Sequence, residues 1–161
     1  MNAHRSPDPA ETGAREQHAA NPELEAVIAS ITPENAGKTR SQLSKAVVLA
    51  IRNLMKETGA TTGARDLAAF IVLALLEIDQ TIETSVLAWE KRGYWVKADR
   101  FRMEWEWAKI YADKIKAALI EDDWGQVAQS IIQISRKLQK VIVSERNRIG
   151  RPWEGAWDHL F

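Results

Sequence analysis

The chain has no cysteine, and its three histidines lie at positions 4, 18 and 159, leaving residues 19–158 without one. The first absence excludes disulfides, thiolate metal sites and cysteine nucleophiles together. The second removes the Glu and Glu-x-x-His sets with which helical bundles hold paired metals. His159 lacks the upstream arginine that helical ribonucleases of the HEPN type separate from a catalytic histidine by four to six residues, because positions 152–154 hold Pro152, Trp153 and Glu154. Acids three apart, the spacing that holds magnesium on facing helices, occur only at Asp8 and Glu11. Asp79 and Glu83, four apart, fit a solvated acidic face. There is no glycine-rich phosphate loop and no serine-nucleophile motif. A non-enzymatic chain without cofactor or metal is expected.

Charge of one sign is also missing, since 22 basic residues face 22 acidic ones. Global attraction to nucleic acid or to a membrane is not implied. The longest uncharged apolar run, Leu67–Leu76, is about half of what a membrane span needs. The first residues carry acids and no apolar core, so no secretory or transit leader is expected. The cytoplasm is the expected compartment, and a membrane is not an expected partner.

What is present is helical patterning. Residues 1–20 contain no Leu, Ile, Val or aromatic residue and are expected to be a disordered tail, having too little apolar surface to offset the entropy of ordering. Asn21-Pro22-Glu23 reads as a helix start, with Leu24, Val27, Ile28 and Ile31 on one face of a short amphipathic helix. Thr32-Pro33-Glu34 repeats that grammar. The helix it opens carries Leu43, Val47, Ala50, Ile51 and Leu54 inward and ends near Gly59.

A third helix is expected over 64–91, with Leu67, Ile71, Ala74, Leu75, Ile78, Ile82, Val86 and Trp89 inward. Its all-round apolar first half marks a helix surrounded by others. A fourth, over 96–121, carries Phe101, Trp105, Ala108, Ala112, Ile115 and Leu119 as a heptad seam. Gly93 either separates these two helices or kinks one long rod. A fifth helix opens at Asp123, with Gln126 three residues on as a capping-box variant, and runs through Val127, Ile131, Ile134, Leu138 and Val141 to Ile149, where Gly150-Arg151-Pro152 stops it.

The expected fold is all-α: an antiparallel bundle of four long helices plus the short N-terminal helix, occupying 21–150, with residues 151–161 as a Trp-rich docking segment. There, Trp153, Trp157 and Leu160 have the anchor spacing of a helix that lies in a groove, with Phe161 last. The groove belongs to a partner, a sister subunit or this same bundle. Met103, Trp107, Ile110 and Ala117 form a second apolar stripe on the fourth helix, which fits a subunit face. The leading functional expectation is a scaffold or adaptor subunit. It would bind a protein partner, or a second copy of itself, through Met103, Trp107, Trp153, Trp157, Leu160 and Phe161.

Two basic segments carry the alternative. Lys91, Arg92, Lys97, Arg100 and Arg102 are interleaved with Tyr94, Trp95 and Phe101, and Arg136, Lys137, Lys140, Arg146, Arg148 and Arg151 follow later. If the segments met at one end of the bundle, cations for phosphate and rings for stacking would suit RNA or single-stranded DNA.

Overall fold

The structure, a computed structural model, describes residues 30–161. The expected tail and most of the short helix over 21–31 lie outside these residues. Among the described residues the chain is helical, without strands: α1 (Ala36–Leu54), α2 (Thr62–Lys91), α3 (Trp95–Ile120), α4 (Trp124–Lys137) and the short α5 (Ala156–Leu160).

α2 and α4 start where a side chain takes over an orphan N–H, and α1 starts after a side-chain turn. Before α1, Asn35 Oδ1 accepts from the Thr32 N–H at 2.7 Å, and the Asn35 N–H meets Thr32 Oγ1 at 3.3 Å. This reciprocal turn moves the helix start past Thr32-Pro33-Glu34 to Ala36. The Thr61 hydroxyl caps α2 by accepting from the Ala64 N–H, and it donates in turn to Glu57. Asp123 caps α4 by accepting from the Gln126 N–H, the three-residue spacing expected from sequence.

α2 is the central element and packs against α1, α3 and α5, while α4 packs against α3. Its residues Leu67, Ile71, Ala74, Leu75 and Ile78 are buried, as are Ala68, Val72 and Ala69 on its other faces. That burial all round explains why its first half is apolar all round. Gly93 separates α2 from α3: it has φ +81°, and the Tyr94 N–H closes on the Trp89 carbonyl at 2.9 Å. α3 then returns along α2, so Arg102 reaches Glu83 and Glu90 at 3.4 Å each and Phe101 meets Trp89 edge-on.

The expectation of four long helices fails at the last one. α4 has 14 residues, against 19, 30 and 26 for α1, α2 and α3, and ends twelve residues before the expected Ile149. β-Branched Val141-Ile142-Val143 lose side-chain freedom in a helix, and tertiary anchors favour a turn at 138–140 and a non-helical path instead. Leu138 and Val143 are buried, and the Arg52 guanidinium donates to the Val143 carbonyl at 3.2 Å. Beyond it, Ser144 and Asn147 fold a turn through hydrogen bonds to the Arg146 carbonyl, the Ser144 carbonyl and the Ile149 N–H.

The core divides in two. A large cluster joins α1, α2, α3, α4 and Trp153. A smaller one, at the α2–α3 turn, has only Ile82, Val86 and Ala98 fully buried, with Trp89, Phe101 and Trp105 partly so.

Candidate functional site: an apolar groove beside α4

The short α4 leaves a groove. It is bounded by the end of α1 (Leu54), the connection through Met55, Glu57 and Ala60, the start of α2 at Ala64, and one face of α4 from Trp124 to Ile132. Its volume is about 790 Å³, within the usual range of ligand and peptide pockets. Val127, Ile131 and Ala64 form a buried floor, while Met55 and Ile132 stand on the rim, 78% and 53% exposed. Polar groups are confined to the edge, at Glu57, Ser135, Arg136 and Gln139.

Local chemistry builds this shape. The Trp124 indole N–H donates to Asp122 at 2.8 Å, which pins the ring at one end of the groove. Asp122 takes φ +55°, turning the chain sharply enough for α4 to leave α3. Adjacent Ile131 and Ile132 cannot both point inward on a helix, so the second emerges on the groove's rim. That pair, and Met55 just past the end of α1, were the sequence signals for this site. Neither entered the expected site residues.

The residues expected to bind a protein partner are distributed otherwise. Trp153 is buried, 4% exposed, against the edge of Phe70 at 6.4 Å. Trp157 and Leu160 pack on the main core, with Arg65 over the Trp157 ring and Phe161 beside it at 4.5 Å. Asp66 fastens this segment by accepting from the Gly155 and Trp157 N–H groups at 3.1 and 3.0 Å. Of the three possible grooves, the Trp-rich segment occupies the one on its own chain. Trp107 is buried too, stacked on Trp105 at 5.5 Å, so the second stripe of α3 reaches solvent only through Met103, Ile110 and Ala117.

The basic residues do not gather. The 136–151 run is strung along α1: Arg136 by Leu54 on the apolar groove, Val143 on Arg52, and Arg148 with Thr39, Gln42 and Glu77. Arg151 pairs with Glu154, and Lys137, Lys140 and Arg146 are exposed. In the other segment, Arg102 is engaged with Glu83, Glu90 and Asp99, the first two of which hold its pKa up, and Lys97 lies over the Trp89 ring at 4.4 Å. Lys91, Arg92, Tyr94, Trp95 and Arg100 remain exposed at the α2–α3 turn.

No group of three or more metal-ligating side chains occurs among the described residues. Asp79 has its pKa raised by burial and by Glu83 and Asp113, with Lys109 opposing, while Glu83 is spent on Arg102. No helix among the described residues is long and apolar enough to cross a membrane. No family model, curated protein or solved structure matches this chain.

Proposed function

We propose that this chain is a non-enzymatic helical interaction subunit that seats an amphipathic helix of a protein partner in the groove between Leu54–Ala64 and α4. The carrying observation is an open groove whose floor is buried aliphatic surface and whose rim exposes Met55 and Ile132. Contiguous apolar surface of this kind marks an interaction site more often than chance exposure. α4 is about 21 Å long at about 1.5 Å per residue, so three to four turns of a partner helix can lie along it. Such a helix would set aliphatic side chains at i, i+4 and i+7 against Ala128, Ile131 and Ile132. α1 to α4, running alternately up and down, supply the rigid scaffold, and the seated Trp153–Phe161 segment closes the far side of α2. The cytoplasm remains the proposed compartment.

The test is the size of the assembly in an extract of the native cell. The wild-type chain should elute well above its monomer mass, and Ile132→Asp or Met55→Asp should return it to the monomer position with its melting unchanged. Elution of wild type and variants at the same size would overturn the reading.

Binding to RNA or single-stranded DNA through Tyr94, Trp95 and Arg100 is the second reading, favoured by the exposure of both rings beside cations. Arg100→Glu should then weaken binding and flatten its salt dependence. Equal affinity for wild type and variant would dismiss it.

A further inference from the structure

Between Val143 and Trp153 the chain forms a strap fastened at both ends. At one end Arg52 holds the Val143 carbonyl at 3.2 Å, and at the other Trp153 is buried against the edge of Phe70. In the middle Asn147 sets a turn, donating to the Ser144 carbonyl at 3.0 Å and accepting from the Ile149 N–H at 3.1 Å. This turn brings Arg148 and Ile149 to a cavity of about 550 Å³, which Leu43 and Ala46 of α1 and Phe70 of α2 also line. The volume is in the usual range for small-molecule sites, and walls anchored in this way are in place before a ligand arrives.

Two opposite charges line the cavity, and neither is matched. Glu77, from α2, is half-buried, and Arg148 is exposed at the rim. Neither makes a hydrogen bond or an ion pair with a described residue. Burial is the one cause acting on the Glu77 carboxyl, pushing it up to about 7, and no cation pulls it back. Arg102 and Arg151, by contrast, find acids within their own surroundings. A carboxylate withdrawn from water without a partner is costly, and a ligand that supplies the partner recovers that cost. α1 adds Thr39 and Gln42, which donate and accept without titrating.

The complementary ligand carries a cation for Glu77, an anion for Arg148 and an apolar body between them. A simple amine would leave the guanidinium unused, although guanidinium groups pair well with carboxylates. A simple carboxylic acid would meet Glu77 as a like charge. A zwitterion satisfies both groups, and an aliphatic or aromatic side chain suits the remaining walls.

We infer that the cavity between α1, α2 and the 143–153 strap binds the zwitterion of an apolar α-amino acid, its ammonium on Glu77, its carboxylate on Arg148 and its side chain against Leu43, Phe70 and Ile149. The site is separate from the groove beside α4, and its ligand ties the strap to the two helices. Only ionised Glu77 holds an ammonium, so binding below about pH 7 expels a proton. Affinity should therefore be about ten-fold weaker at pH 6 than at pH 8. Arg148, the other charged side chain lining the cavity among the described residues, stays protonated across this range.

Calorimetry on the full-length chain at pH 8 tests the site, with L-leucine, L-isoleucine, L-methionine and L-phenylalanine as probes. At least one should bind with a Kd below about 1 mM, and Glu77→Gln and Arg148→Gln should each weaken it at least ten-fold. Glu77→Gln removes a desolvated charge and Arg148 is exposed, so both variants keep the fold, as their melting should show. The amine lacking the carboxylate and the acid lacking the ammonium should each bind at least ten-fold more weakly than the amino acid. The inference is overturned if no probe binds at about 10 mM, or if binding survives both substitutions. It is equally overturned if the amine binds as tightly as the amino acid, which would leave a cation site only, or if affinity is the same at pH 6 and pH 8. Hydrogen exchange gives the location: the ligand should slow exchange at residues 144–152 at least ten-fold and leave α4 unchanged, and unaltered exchange at 144–152 rules the strap site out.

Discussion

Asp66 holds the backbone of Trp157 across 91 positions of sequence, its Oδ1 accepting from the Trp157 N–H at 3.0 Å. With Oδ2 on the Gly155 N–H, one carboxylate fixes the turn that delivers Trp153 to the core. Removing residues 151–161 therefore exposes core surface, and the truncated chain should melt far below the full one. Trp153→Ala alone should cost about 3–5 kcal/mol and Asp66→Ala about 1–3 kcal/mol, both read from denaturant midpoints. A melting curve unchanged by truncation would show that the segment is dispensable to the fold.

Glu77 sets a pH dependence whose sign is fixed by burial. It lies in a cavity lined by Leu43, Phe70, Ile149 and Pro152, and desolvation pushes its pKa from 4.5 up to about 7. Between those values the folded chain holds a proton that the unfolded chain has released. Stability should thus be highest below about pH 4.5 as far as this group decides it, fall as pH rises to about 7, and level off above. Burial of Asp79 acts in the same direction. Glu77→Gln should remove most of the slope and stabilise the chain at pH 8 by on the order of 1–2 kcal/mol, after allowing for partial solvent screening. Denaturant titrations at pH 5 and pH 8 on both chains measure this directly.

Gly93 should resist replacement. Its φ of +81° lies where L side chains are strained, although a methyl group there would meet nothing within 4 Å. Gly93→Ala should lower stability by about 1 kcal/mol through the backbone alone. A larger loss would mean that the α2–α3 turn carries packing as well as conformation.

The groove rim should be silent in folding. Ile132→Asp and Met55→Asp replace exposed side chains, so each should change unfolding free energy by no more than about 0.5 kcal/mol. A partner's affinity should nevertheless fall. A drop in stability comparable to that of Trp153→Ala would place these residues in the core.

Much of the helical order was written in local signals. The Asp123–Gln126 cap and the all-round apolar first half of α2 each act within a few residues, so a local reading finds them, whereas at Gly93 the sequence left a break and a kinked rod equally open. The end of α4 is decided differently. Leu138 and Val141 keep helical spacing, yet the chain turns out of the helix after Lys137 and runs on without helix to Val143, whose carbonyl Arg52, on α1, captures. A contact between residues 91 positions apart leaves no periodic trace. The anchoring of Trp153 and Trp157 is similar, since their spacing announced a groove but only Asp66 and Phe70 say whose. The candidate groove was least legible of all. It lies between the Leu54–Ala64 connection and α4, elements far apart in sequence, and its rim residues Met55 and Ile132 look like surplus apolar positions until the chain is folded.

Photo-crosslinking in the native cell tests the interaction reading most directly. A photoreactive phenylalanine analogue at Ile132 should yield one discrete adduct containing a second, different polypeptide, and Ala128→Glu in the same chain should abolish it. The same analogue at Met103, on the exposed stripe of α3, should give no comparable adduct. If Ile132 yields nothing, or if the adduct survives Ala128→Glu, the groove beside α4 is not where this protein meets its partner.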